Sequence, residues 1–424
     1  MNRTIKRLQL TFLRVLVVAL VCNVIPAGPL ATVGTAFAKD TKDAKNADTV
    51  GPKVGKPLQE AQSLMQSRKY TEALAKIDEA DAVPKKTPYE QYMIERMRGA
   101  AAAAAGQLDT AAKAFDAVIK SGKISQPEQL QIMQAMADAY YRAKDYTKTQ
   151  QWAERYEKAG GTDPSVSLLV AQTYYLKGNY SAAAKDMEQI TQAEEKGGKA
   201  PTEEQLQFLA SCYLKQNDTG AYVGALEKLV TYYPKKDYWA DLLARVQRKP
   251  GFSERLSLDV YRLMRITGNL KDAGDYMEMA QLALQAGYPK EAQEVIDKGY
   301  ETKVLGTGAQ AAREQRLKAL ADKQAAEDKK TLNVAVPTKD ADAMVNTGYN
   351  LVINGEDEKG LSLMKKGIAK GGLKHPGDAT LHLGEAYLLA GHKDQAIRMF
   401  RSAQGNDGVQ DLARLFVLAA KSGK

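Results

Sequence analysis

Three histidines, His375, His382 and His392, are the side chains of this sequence best suited to hold a metal or to move a proton near neutral pH. His382 and His392 fall on one predicted hairpin, a placement that could suit a shared cation. No cysteine and no third ligand is read beside them at a ligand spacing, and His375 precedes Pro376 in a loop. All three are assigned to surface or packing roles, and no metal is expected. Gly306-Thr307-Gly308-Ala309-Gln310-Ala311 fits a dinucleotide fingerprint letter by letter. That fingerprint works only between a strand and a helix, where backbone N–H groups meet a pyrophosphate. No strand pattern precedes Gly306, so Gly306 to Gly308 read as the loop that starts a helix, and no cofactor is expected. The sequence holds no GxSxG, P-loop or HExxH string. Glu194-Glu195 and Glu203-Glu204 sit in a polar loop and at a helix start, where they are solvated charge favoured by the helix dipole. No nucleophile and base can be brought together, so no catalytic residue is expected and the chain does not read as an enzyme.

Binding chemistry is better represented. Tyr232-Tyr233-Pro234-Lys235-Lys236-Asp237-Tyr238-Trp239 is dense in aromatic and basic side chains, and Arg245, Arg248, Lys249, Arg255, Arg262 and Arg265 follow it. The plain reading is a connection between hairpins with Trp239 packed into the next one. The functional reading is a partner-binding patch of Tyr233, Lys235, Lys236, Trp239, Arg245 and Arg248. Nucleic acid is not expected as the partner. The formal charge is +9, and removal of residues 1–38 would take away Arg3, Lys6, Arg7 and Arg14 and no acid, leaving +5.

What must position these residues is a repeat. Met136-Ala137-Asp138-Ala139-Tyr140-Tyr141 returns as Val170-Ala171-Gln172-Thr173-Tyr174-Tyr175, and Ala137 to Ala171, Tyr140 to Tyr174 and Tyr146 to Tyr180 are each 34 residues. A fixed period of this length in helix-forming sequence marks stacked helix hairpins. A small residue on each first helix serves as the marker: Ala61, Gly99, Ala137, Ala171, Ala210, Ala280, Gly348 and Gly384. Two intervals, Ala210 to Ala280 and Ala280 to Gly348, are 70 and 68 residues and have room for two units each. Residues 238–268 read as a degenerate unit whose apolar face is Leu256, Val260, Tyr261 and Met264. Residues 309–330 read as one long, charged, Ala-rich helix. Single short helices are marginal in water, so each hairpin must bury its apolar face on a neighbour.

Ala171, Tyr174, Gly178, Tyr180, Ala183, Met187 and Ile190 resemble the tetratricopeptide repeat, as do Gly384, Tyr387, Gly391, Ala396, Phe400 and Ala403. The resemblance implies an all-α fold of the α-α superhelix class, a solenoid of about nine or ten stacked hairpins with a C-terminal capping helix over residues 409–422. It also implies that first helices line a concave groove for a protein or peptide partner. By offset from the markers, that groove would be Met133, Asp138, Tyr141 and Arg142, then Leu168, Gln172 and Tyr175, then Gln207, Ser211 and Lys215. The Lys/Asn clamp that some members use for a free carboxylate has no counterpart at these positions. The Tyr-Pro-Lys-Lys-x-Tyr-Trp string is similar to one in tetratricopeptide proteins that accompany TonB–ExbB–ExbD systems of Gram-negative bacteria.

Residues 1–38 read as a signal peptide. Arg3, Lys6 and Arg7 precede the apolar run Val15 to Cys22, and Ala36-Phe37-Ala38 offers a cleavage site near Ala38. The run is too short to span a bilayer, so no membrane span is expected after cleavage. The expected location is the periplasm, with an uncleaved inner-membrane anchor facing the periplasm as the alternative. Cys212 is then the one remaining cysteine and cannot form an internal disulfide. Residues 39–56 read as a flexible leader, 57–330 as the main array, 331–339 as a linker, and 340–424 as a C-terminal pair of repeats plus the cap. The expected function is a scaffold that binds a segment of an envelope protein, accessory to TonB-type energy transduction or envelope transport. The alternative is a carbohydrate-binding or accessory module in cell-wall or polysaccharide assembly or export.

Overall fold

The computed structural model describes residues 48–332, 334 and 339–422. The predicted signal peptide lies outside them, as does most of the predicted linker. The described residues are all-α, of the α-α superhelix class, with twenty α-helices and no strand. The chain divides into two compact units, the first ending at Ile190 and the second beginning at Thr191.

The first unit runs α1 (Pro52–Gln66), α2 (Tyr70–Asp81), α3 (Pro88–Ala104), α4 (Leu108–Lys120), α5 (Gln126–Arg142), α6 (Tyr146–Lys158), α7 (Pro164–Leu176) and the start of α8 (Tyr180–Lys196). The sequence states where several of these helices start. Thr87 and Glu90, and again Ser125 and Glu128, form reciprocal capping boxes that satisfy N–H groups left open by the first turn. Asp145 and Asp163 cap α6 and α7 with their carboxylates. The expected leader is shorter than read: α1 begins at Pro52, and Pro57 lies inside it rather than at its start. Val54 is 1% exposed, and the Gly51 N–H donates to Glu90 Oε1 at 2.9 Å, so packing and a hydrogen bond fix this end.

The 34-residue period becomes packing through its small residues. A Cβ at Gly99 would stand 2.7 Å from the Phe115 ring of the second helix in its own hairpin. Ala137 and Ala171 are fully buried in the same role. The turn inside each hairpin needs a left-handed residue. Gly178 supplies it at φ 80°, and Lys144, one period earlier, adopts φ 63°.

The second unit continues with α9 (Glu203–Gln216), α10 (Thr219–Tyr232), α11 (Lys236–Gln247), α12 (Ser257–Ile266), α13 (Ala273–Gln285), α14 (Pro289–Glu301) and α15 (Ala311–Thr331). It ends with α16 (Ala341–Ile353), α17 (Asp357–Lys370), α18 (Pro376–Leu389), α19 (Lys393–Ser402) and α20 (Val409–Ser422). The degenerate unit is α11 and α12, and the long helix is α15, which packs on α14 and is tied to it by Lys318 with Asp297 and by Gln293 with Asp322. Gly306 to Gly308 form the loop before α15, where the Gly306 N–H donates to Glu314 Oε2 at 2.6 Å, so the fingerprint match is that loop. In α12 the buried residues are Leu258, Val260 and Leu263 together with Asp259 and Arg262, and Leu256 just before it is buried as well. The apolar face read from the sequence therefore shifts, and Tyr261 and Met264 are only half-buried.

The C-terminal repeats are not set apart from the helices before residue 330. Tyr349 of α16 packs edge-on to Tyr288 at 5.0 Å, and the Asn350 amide donates to the Gly287 carbonyl at 3.2 Å. The terminal helix does more than cap. Phe416 stacks on Phe400 at 5.0 Å, as a cap would. Arg414 also pairs with Glu227 of α10 at 2.7 Å, and Lys249 pairs with Asp411 at 2.7 Å. Arg255 binds Asp378 at 2.7 Å and Asp407 at 2.5 Å. The last helix thus closes the second unit back onto its own early helices.

Candidate functional site

In the first unit the predicted groove residues sit on α5 and α7. Asp138 and Tyr141 are half-buried and Arg142 is exposed. Tyr141 donates its hydroxyl proton to Gln172 Oε1 at 3.1 Å, which links two successive first helices. Burial raises the Asp138 carboxyl and the Tyr141 hydroxyl above their ordinary values. Tyr141 packs on Tyr146 at 6.0 Å and Tyr175 meets Tyr180 edge-on at 5.1 Å, so neighbouring hairpin turns orient these rings. Leu168 is half-buried, and Leu176 beside this face is 45% exposed. Met133 does not belong to it. It is 5% exposed and part of the core, because its position faces the neighbouring helices rather than the surface.

In the second unit, Gln207 and Ser211 of α9 are half-buried and Lys215 is exposed. The Gln207 amide donates to the Tyr238 hydroxyl, which in turn donates to Glu203. Part of the basic and aromatic patch is engaged within the fold. Trp239 is 2% exposed, so it packs the core. The Tyr233 hydroxyl donates to the Pro201 carbonyl at 2.9 Å, and Lys235 pairs with Glu203 at 2.6 Å. Arg245 is held by Asp241 at 3.1 Å and lies over the Tyr222 ring at 4.9 Å. Lys236 and Arg248 remain exposed.

The densest polar site was not among the predicted residues. It gathers Asp259 and Arg262 of α12, Glu291 of α14, Tyr349 of α16, and His382 and Glu385 of α18. The Arg262 guanidinium donates through Nε to Glu291 Oε1 at 3.0 Å and through Nη2 to Glu291 Oε2 at 2.8 Å. Its Nη1 reaches Asp259 Oδ1 at 2.9 Å and Glu385 Oε2 at 3.0 Å. It also lies 4.5 Å from the Tyr349 ring. His382 Nε2 stands 3.0 Å from Asp259 Oδ1, and the Tyr349 hydroxyl donates to Glu385 Oε2 at 3.2 Å.

The electrostatics follow from burial. Burial pushes the Glu385 carboxyl up to about 7, against the pull of Arg262. The Asp259 carboxyl is held below its usual range by His382 and Arg262 despite its burial. His382 is raised by Asp259, which outweighs its own desolvation.

His382 was read as lacking companions. The fold brings Asp259 and Glu385 to it, with candidate ligand atoms within 4.8 Å of one another. The cation that already serves both carboxylates is the Arg262 guanidinium, so the cluster is built as an ion-pair network. A signal existed. Glu385 stands three residues after His382, on one helix face, and Asp259 and Arg262 interrupt an apolar run at the same spacing.

A pocket of about 460 Å³ opens beside this cluster. Arg262, Tyr349 and Glu385 are among its lining residues, together with Leu388, Phe416 and Ala419. Among the described residues Glu385 Oε1 has no hydrogen-bond partner.

Two segments, residues 209–236 and 378–406, match the family profile described as Tetratricopeptide repeat. No curated protein matches the sequence. Among solved structures, the C-terminal part of a TPR repeat-containing protein from Cytophaga hutchinsonii aligns at 15% identity and TM-score 0.30, covering 76% of this chain and 98% of that one. The TPR2AB domain of yeast Sti1, solved in complex with pHSP90, aligns at 13% identity and TM-score 0.24, covering 69% and 99%. Yeast Tom70 aligns at 12% identity and TM-score 0.23, covering 87% and 95%.

Proposed function

We propose, from the premise that this chain is a tetratricopeptide-repeat protein, that it acts in the periplasm as a scaffold holding an extended segment of an envelope protein. The observation that carries the reading is the face shared by α5 and α7. There Tyr141 and Gln172 bridge successive first helices, with Asp138, Arg142 and Tyr175 on the same two helices. Partly exposed tyrosines with two ring faces and a polar tip suit an extended peptide, whose main chain needs hydrogen bonds and whose side chains need apolar contact. Export is supported by Arg3, Lys6 and Arg7 before the apolar run at Val15 to Cys22, and by Ala36-Phe37-Ala38. A role beside TonB-type energy transduction rests on the Tyr232 to Trp239 string.

The test is recovery of partners from envelope extracts by the wild type and by a Tyr141→Ala/Tyr175→Ala double variant. Loss of one or more proteins from the variant supports the groove. Equal recovery rejects it. Retention of glycan fragments by the wild type, lost in the variant, would favour the carbohydrate reading instead. Fractionation of cells expressing a C-terminally tagged chain tests the location, and a cytoplasmic product overturns it.

A further inference from the structure

We infer that the second unit contains a small-molecule site: the pocket bounded by α12, α18 and α20 takes an amphipathic monocarboxylate with a hydrogen-bond donor at its far end. Its volume, about 460 Å³, falls within the size range of ligand pockets. Its lining is layered. Along α12, Arg262 is followed by Arg265 and Ile266, and along α18, Glu385 is followed by Leu388 and Leu389. Each layer lies about 5 Å, one helical turn, beyond the charged residue. Phe416, Ala419 and Ala420 of α20 supply a third, apolar wall.

The polar end asks for a donor. Glu385 is 4% exposed, and its Oε2 already accepts from Arg262 and Tyr349. Its Oε1 is buried and accepts from nothing among the described residues. Above about pH 7, where the Glu385 carboxyl is ionised, an acceptor closed off from water without a donor is destabilising, and a ligand hydroxyl or amide N–H would relieve it.

The outer end asks for an anion and an apolar body. Arg265 and Lys393 both line the pocket. Arg265 is only loosely held, 3.9 Å from Glu291, and Lys393 is exposed. Ile266 and Leu389, in the same lining, are 46% and 48% exposed, among the most open large apolar side chains described. Such exposure at the edge of a pocket marks a binding surface more than a packing one. This site uses none of the residues of the α5 and α7 face, so it stands or falls separately from the scaffold reading.

The probe is 3-(4-hydroxyphenyl)propionate, which has a phenolic donor, an apolar ring and a carboxylate. Titrated into the full chain and followed by saturation-transfer NMR and calorimetry, it should bind saturably with a Kd on the order of 1 mM, as its size allows. 3-Phenylpropionate lacks the donor and tyramine lacks the carboxylate, and each should bind about fivefold more weakly or worse. Lys393→Glu and Leu389→Glu alter exposed positions, so the fold persists, and each should weaken the probe by about fivefold or more through repulsion of its carboxylate. The inference is overturned by no saturation transfer at about 10 mM probe, by equal binding of the three compounds, or by binding unchanged in both variants.

Discussion

Arg262 and Glu385 are 123 residues apart in the chain, and their side chains meet at 3.0 Å inside the second unit. Arg262 is 3% exposed and Glu385 4%. The pair joins α12, in the least repeat-like stretch, to α18, in the stretch that matches the family profile. Around it Asp259 and Glu291 complete an arrangement in which one guanidinium answers three carboxylates.

Arg262→Met should therefore be severe. It keeps the volume but leaves three buried acids without their cation, and the loss should be about 3–5 kcal/mol. Urea denaturation would measure it in a Trp152→Phe background, where Trp239 alone reports on the second unit. Adding Glu385→Gln should recover part of the loss. A double variant no more stable than Arg262→Met would show that Glu385 is not coupled to Arg262.

The same cluster sets a pH dependence. Glu385 is raised from 4.5 to about 7, so the folded state keeps a proton that the unfolded chain has released. Its contribution to stability is largest below pH 4.5 and is lost as the pH rises to about 7. His382, also raised, acts in the same direction above its ordinary 6.5. Asp259 is lowered, so its contribution is present above 3.8 and is lost as the pH falls below that value. Arg262, Glu291, Tyr288 and Tyr349 face these groups; Arg262 stays protonated and Tyr288 and Tyr349 stay neutral across this window. The second unit should lose stability from pH 5 to pH 7.5, by up to about 3 kcal/mol, with a visibly smaller slope in Glu385→Gln. Identical slopes would remove Glu385 from this account.

Gly348 and Gly360 let α16 and α17 touch backbone to backbone. A Cβ at Gly360 would stand 2.4 Å from the Gly348 carbonyl oxygen, and one at Gly348 would stand 2.7 Å from that of Gly360. Neither backbone can yield cheaply, so Gly360→Ala should cost about 2 kcal/mol. Gly224 has open space around it, and Gly224→Ala on the exposed side of α10 should raise stability by about 0.5–1 kcal/mol. Chemical denaturation of both, side by side, separates close approach from helix propensity.

Lys144 occupies a turn position that Gly178 fills one period later. Its φ is 63°, a conformation that costs a side chain more than a glycine, and the residue is exposed. Lys144→Gly should stabilise the first unit by about 0.5–1 kcal/mol after the entropy of the unfolded glycine is counted. Trp152 fluorescence during urea unfolding is the readout. Destabilisation would mean that the lysine side chain has a role beyond the turn.

The repeat itself was legible because it is local. The 34-residue spacing, the small residues at Ala137, Ala171 and Gly384, and the caps at Asp145 and Asp163 each act within one hairpin, where chain distance and space nearly coincide. They sufficed for an all-α stack. They also placed Asp138, Tyr141, Gln172 and Tyr175 on their helices, since a fixed period carries a fixed face. Met133 was misplaced because the same period does not say which neighbour covers a face, whereas Trp239 packs into the core as the plain reading of its string has it.

What only the tertiary structure decided is how α12, α14, α16, α18 and α20 converge. The three-residue spacings of Asp259 with Arg262 and of His382 with Glu385 are visible in the chain, but nothing in them says that the two helices, with Glu291, will meet. These side chains become a buried network only when the chain between residues 262 and 385 returns α18 to α12 and α20 closes over both. Burial then changes their chemistry, from the raised Glu385 carboxyl to the pocket beside it. Helix period is written in nearest neighbours along the chain, whereas the mutual neutralisation of distant charges depends on a closure that no local spacing records.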